Sequence, residues 1–78
     1  MNIYDRIERD PEILLGKPII KGTRIPVELI VRKLGEGAKI EELLDAYPNI
    51  DKEDVRAALI YAADTLSNEL TIDLETGT

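Results

Sequence analysis

The chain has 78 residues, carries 10 Lys and Arg against 16 Asp and Glu, and is 44% hydrophobic with no cysteine and no histidine. That length allows one domain with a small core, for which a partner chain is the expected source of extra stability. The missing residues exclude disulfides, thiolate or imidazole metal sites and any catalytic triad with a histidine base.

The net charge of −6 is unevenly placed: residues 1–39 hold eight cations and six acids, residues 40–78 two cations and ten acids, and no Lys or Arg follows Arg56. Overall acidity disfavours nonspecific binding to nucleic acid or membranes, although a local basic patch can still hold phosphate. No apolar run approaches the roughly 20 residues of a membrane span, and the N-terminus has no apolar signal-peptide core. These features lead us to expect a soluble cytoplasmic protein.

In chain order, residues 1–12 are polar and mixed, and Asp10-Pro11 ends any regular element. Ile13-Leu14-Leu15 is a short apolar run closed by Gly16. Pro18-Ile19-Ile20 and Thr23-Arg24-Ile25 are β-branched pieces around Lys21-Gly22 and predict a hairpin within about residues 13–26, with Gly22 supplying a positive φ. Ile19 and Ile20 are adjacent, so a strand points them to opposite faces. One fills the core on this reading, and the other awaits a second chain, which predicts dimerisation through the hairpin.

Pro26 then opens a helix in which Val27, Ile30, Val31 and Leu34 form a stripe, ended by Gly35 and Gly37. Ile40, Leu43, Leu44 and Tyr47 form a second stripe, stopped by Pro48. Asp51 is an N-cap with Asp54 three residues on, and Val55, Ala58, Leu59, Ala62 and Leu66 form the third stripe, widened by Ile60 and Tyr61. After it, Leu70, Ile72 and Leu74 alternate with polar residues, which is strand periodicity. The expected fold is mostly α: an N-terminal β-hairpin, three helices over residues 1–66 whose spacing matches a helix-turn-helix and equally any three-helix bundle, and an extended tail over 67–78, either frayed or partner-binding.

Catalytic patterns are missing. Ser67 is the single serine and has no histidine to activate it. Gly16-Lys17 fails as a phosphate-binding loop, because Pro11 stands where the loop's first glycine belongs and Pro18 where its Ser or Thr belongs. Glu41, Glu42 and Asp45 read as a solvated helix surface rather than a metal cluster. No enzyme activity, cofactor, metal or small-molecule substrate is expected.

The basic residues Lys17, Lys21, Arg24, Arg32 and Lys33 have two readings: edge charges that keep the hairpin from pairing with strangers, or contacts to phosphate oxygens. Lys52 and Arg56 lie one turn apart where a recognition helix meets bases, yet Asp51, Glu53 and Asp54 surround them.

The strings "DPEILLGKPIIKGTRIPVELIVRKLGEG", "IEELLDAYP" and "EDVRAALIYAAD" resemble a family of short bacterial and archaeal proteins catalogued as domain of unknown function 433. Pro11-Glu12-Ile13, Gly16-Lys17-Pro18 and Gly22-Thr23-Arg24-Ile25-Pro26 carry the resemblance. It implies a homeodomain-type helix-turn-helix protein acting as the antitoxin of a type II toxin–antitoxin pair, encoded beside a PIN-like ribonuclease. The chain departs from the family in having Leu15 where many members have glycine and Lys39 where they have Ser or Thr.

The resulting expectation is a noncatalytic homodimer that binds operator DNA and neutralises a PIN-like toxin. DNA contacts are assigned to Lys17, Lys21, Arg24, Arg32, Lys33, Lys52 and Arg56, with toxin contacts at Tyr61, Leu70, Ile72 and Leu74, and the dimer contact at Ile19 or Ile20. The alternative is an interaction module that binds a partner protein and no DNA.

Overall fold

The computed structural model describes the backbone of residues 3–77 and the side chains of residues 5–68. A 3-10 turn at Ile3–Arg6 leads into β1 (Ile7–Glu8), a second tight turn covers Leu14–Gly16, and β2 (Ile19–Ile20) precedes α1 (Val27–Gly35), α2 (Ile40–Ala46) and α3 (Lys52–Gly77). The fold is mostly helical with an antiparallel strand pair at its N-terminal end, as the sequence predicts.

The strand pair differs from the predicted one in its partner. Ile7 pairs with Ile20 and Glu8 with Ile19, so β1 comes from the segment whose mixed polarity gave no strand signal. The predicted turn at Lys21-Gly22 nevertheless forms. The Thr23 N–H and hydroxyl both donate to the Ile20 carbonyl at 3.0 and 2.7 Å, and the Ile20 N–H donates to the Ile25 carbonyl at 2.9 Å. Gly22 adopts φ 79° at the bend, where a side chain would be strained. The far arm touches β2 only through an isolated bridge, Ile19 to Pro26. The bridge is made by the Ile20–Ile25 and Val27–Pro18 bonds on either side of it, and it goes no further because α1 begins at Val27.

This arrangement corrects the two-faced reading of the isoleucines. Ile19 is 0% and Ile20 1% exposed, so one chain covers both, and neither waits for a second copy. Alternation does send them to opposite sides of β2, but both sides of this short strand are enclosed. Ile20 joins Ile25, Val27, Ile30, Leu43, Ile50, Val55 and Ala58 in the core.

The three helices begin and end for visible reasons. The Val27 N–H donates to the Pro18 carbonyl at 2.9 Å, which fixes where α1 leaves the strand pair. The Ala38 N–H returns to the Lys33 carbonyl at 3.0 Å with Gly37 at φ 103°, closing α1 through a left-handed glycine. Lys39 cannot accept a bond as Ser or Thr would, yet its own N–H donates to Glu42 Oε1 at 2.8 Å, so one half of a capping box survives.

At α3 both halves are present: the Asp54 N–H donates to Asp51 Oδ1 at 2.9 Å and the Asp51 N–H to Asp54 Oδ2 at 3.0 Å. Arg6 Nη1 adds bonds to Asp51 Oδ1 at 3.1 Å and Asp54 Oδ1 at 3.0 Å. The Asp54 amide, and then Arg6, hold the Asp51 carboxyl below its ordinary value, with partial desolvation acting the other way. Bonding to Asp54 in turn raises Arg6.

Two expectations for α3 change. Leu59 and Leu66, assigned to the buried stripe, are 39% and 54% exposed, and Ala57 is buried instead. The segment expected to be an extended tail is helical in its backbone through Gly77. No glycine or proline occurs from Asn49 to Thr76, so nothing local stops the helix, and Leu66, Leu70 and Leu74 satisfy an i,i+4 spacing as readily as residues 70, 72 and 74 satisfy alternation. The side chains of Leu70, Ile72 and Leu74 lie outside the described residues.

The turn at Leu14–Gly16 is the strained point of the backbone. Leu14 has φ 50° and Leu15 φ 58°, both left-handed, and Leu15 is 94% exposed. A left-handed conformation at an ordinary residue costs about 1–3 kcal/mol.

Two outcomes follow from these contacts. Leu15→Gly should be more stable than Leu15→Ala by about 1 kcal/mol in urea unfolding, the reverse of the usual glycine penalty. Asp51→Ala should lose about 1 kcal/mol of stability near neutral pH through the lost cap. Because folding lowers the Asp51 pKa, its contribution is full above the ordinary value of 3.8 and disappears as pH falls through the lower folded value. Urea titrations across that range should show the wild-type and Asp51→Ala curves converging.

Candidate docking groove

Helices α1 and α3 pack side by side, and their exposed flanks leave an apolar groove of about 390 Å³. Val27 and Val31 line it from α1, Tyr61, Ala62 and Leu66 from α3, and Pro18 from the segment before β2. Its polar rim is Glu28, Arg32 and Thr65. The geometry follows from helix periodicity. Val27 and Val31 are one turn apart, as are Ala62 and Leu66, so each helix turns a short apolar row toward the groove, with the core residue Val27 at its base. Tyr61 and Ala62 also pack on the core, whereas Leu66 reaches beyond it.

Two smaller hollows continue the face. One of about 190 Å³ is lined by Lys17, Pro18 and Glu28, and one of about 290 Å³ by Leu14, Leu15, Lys17, Pro26 and Glu28. Glu28 borders all three, and Lys17 Nζ donates to its Oε1 at 2.6 Å. That bond, then the ammonium charge, lowers the Glu28 pKa.

The cations assigned to DNA are spread over the fold. Lys17 is paired with Glu28, and Arg56 lies 3.6 Å from Glu53. Lys52 and Arg56 sit in the first turns of α3 with exposed Asp51 and Glu53 and the half-buried Asp54, so this end of the helix is acidic on balance. Lys21 and Arg24 are exposed in the turn after β2, and Arg32 and Lys33 in the last turn of α1, where the helix dipole favours them. Among the described residues, none of these four is in an ion pair within 4 Å.

Tyr61 is the one partner-binding candidate with a described side chain, and it lies in the groove. Sequence reasoning missed Leu66 as a groove residue, Glu28 as the partner of Lys17, and the exposure of Leu14 and Leu15. One signal was available: Glu28 is the single acid between Lys17 and Lys33. Among the described residues no group of His, Cys, Asp or Glu is placed to hold a metal, and no helix is long and apolar enough to cross a membrane.

The fold and sequence both have relatives. The family described as "Protein of unknown function (DUF433)" matches residues 7–62. An uncharacterized protein, y4eO, of Sinorhizobium fredii is 39% identical over 56 residues, 72% of this chain but 25% of y4eO, so the chain spans about a quarter of that relative. An uncharacterized protein of Archaeoglobus fulgidus is 54% identical over 28 residues, 36% of this chain and 78% of its own length. The crystal structure of a DUF433 member protein from Anabaena variabilis superposes with a TM-score of 0.74 at 36% identity, covering 94% of this chain and 69% of that one. With the match running from β1 into α3 and a solved member sharing the fold, the chain belongs to the DUF433 family.

Proposed function

We propose that this chain is a noncatalytic protein-binding domain, the antitoxin half of a toxin–antitoxin pair, and that it seats an apolar segment of a PIN-like toxin in the groove between α1 and α3. The groove carries this reading. It combines an apolar floor, a small polar rim and an aromatic residue, Tyr61, of a type enriched where proteins meet. The resemblance of the "GKPIIKGTRIP" region to antitoxin-like proteins supplies the partner class. On this reading the protein acts in the cytoplasm by covering the toxin's surface.

A second reading, binding of operator DNA, is favoured by Lys21, Arg24, Arg32 and Lys33, which make no ion pair among the described residues, and by the order of α2, the link at residues 47–51 and α3. Its contacts would be mainly to phosphate, because acids crowd the start of α3. Such binding would appear at low salt and fade as salt rises, and Arg24→Glu would flatten that salt dependence by about one unit. A gel shift on DNA upstream of the gene that shows no binding at low salt removes the second reading.

The groove is tested by co-purifying the tagged chain with the protein encoded by the adjacent gene. Wild type and Lys52→Ala should retain it. Leu66→Arg, which places a charge in the groove at a side chain already 54% exposed, should lower retention at least about tenfold. Retention of the partner by Leu66→Arg at the wild-type level would overturn the groove as the docking site.

A further inference from the structure

The groove and the strained turn lie on one face. Leu14 and Leu15 flank a hollow that shares Lys17 and Glu28 with the next one, and that hollow shares Pro18 and Glu28 with the groove. We propose that a second copy of this chain covers the groove in the free protein, each copy inserting its Leu14–Leu15 turn into the groove of the other about a two-fold axis beside the Lys17–Glu28 pair. The inference rests on the groove being a docking surface and adds what occupies it before the partner arrives.

The turn has the character of an inserting element. Leu15 is 94% and Leu14 41% exposed, and both are held at positive φ. Nearby bonds maintain that shape: the Gly16 N–H to the Ile13 carbonyl at 3.1 Å, the Lys17 N–H to the Leu14 carbonyl at 3.2 Å, and Arg9 Nε to the Gly16 carbonyl at 3.0 Å. A strained backbone that displays a leucine in water has no role in this chain's own core, whereas a pre-shaped apolar knob suits a contact with another surface.

The face is also self-complementary. In a two-fold interface, residue i of one copy meets residue j of the other and j meets i, so a knob beside a groove on one chain satisfies both halves of the contact. Charge follows the same rule. The ion pair between knob and groove leaves Lys17 56% and Glu28 54% exposed. In the proposed dimer the two-fold axis runs perpendicular to the Lys17–Glu28 line, the orientation that sets the Lys17 ammonium of each copy against the Glu28 carboxylate of the other and avoids a like-charge clash. Partner binding and self-association then compete for one groove, and the toxin displaces the second copy.

Sedimentation equilibrium of the full chain tests this. Wild type should be dimeric at micromolar concentration, and Leu15→Gly should weaken the dimer at least about tenfold while keeping its helical circular dichroism and cooperative unfolding. Leu66→Arg should weaken it as much. A mixture of the two variants should form a heterodimer tighter than either homodimer, because one intact turn and one intact groove remain; loss of folding alone produces no such complementation. A wild-type monomer up to about 1 mM, a Leu15→Gly dimer as tight as wild type, or two folded variants that fail to associate would each overturn the proposal.

The partner assay separates this from the groove reading. Leu15→Gly should bind the adjacent gene's product at least as well as wild type, since its groove is intact and uncovered. If self-association fails while Leu66→Arg still loses that partner, the second copy is the wrong occupant and the groove stands. If Leu66→Arg keeps the partner while the mixing result holds, the groove serves self-association and the partner docks elsewhere.

Discussion

The contact on which the architecture turns is Arg6 with Asp51 and Asp54. The two aspartates already cap α3 for each other, each accepting the other's backbone N–H. Arg6 adds a cation from 45 residues away in sequence and joins the segment before β1 to the start of the longest helix. The same residue's carbonyl accepts the Lys21 N–H at 2.8 Å, so Arg6 holds the β2 turn with its backbone and α3 with its side chain. Its side chain is partly exposed, and the value of this contact lies in connection more than in the strength of an ion pair.

From that junction the position of the groove follows. Once β2 lies between β1 and the Ile25–Pro26 arm, the bond from the Val27 N–H to the Pro18 carbonyl sets the direction in which α1 departs. α1 then buries Val27 and Ile30 against Val55 and Ala58 of α3 in one core, and Val31, Tyr61 and Ala62 are left at its edge, half-buried. The groove is therefore the margin of the core, where the two helix edges are only partly covered.

The sequence made the helices legible because each has its own local signal. The stripes Val27–Leu34 and Ile40–Tyr47 and the caps at Asp51 and Asp54 are short-range patterns, and the structure contains all of them. What stayed hidden depends on distant segments. Ile7-Glu8 is too short to show a period, and only pairing with Ile20 and Ile19 makes it a strand. Burial of both isoleucines required knowing what lies on each side of β2. Leu66 looked like core because it keeps the helical stripe, but the helix runs past the small body that could cover it. The exposed turn at Leu15 was visible only as a departure from glycine, and the cation-rich string did not reveal that Lys17 lies against Glu28.

An uninterrupted α3 also has a mechanical consequence. Sharp kinks arise at Pro, Gly or bulges, and no Gly or Pro occurs from Asn49 to Thr76, so a change in how α3 sits against α1 at Tyr61 and Leu66 would carry the helix beyond with it. Gly77, the last helical position, lies eleven residues beyond Leu66. At about 1.5 Å of rise per residue this is an arm of roughly 16 Å, so a tilt of about 10° at the groove sweeps the far end through about 3 Å. Whatever fills the groove thus bears on α3 at the base of this arm.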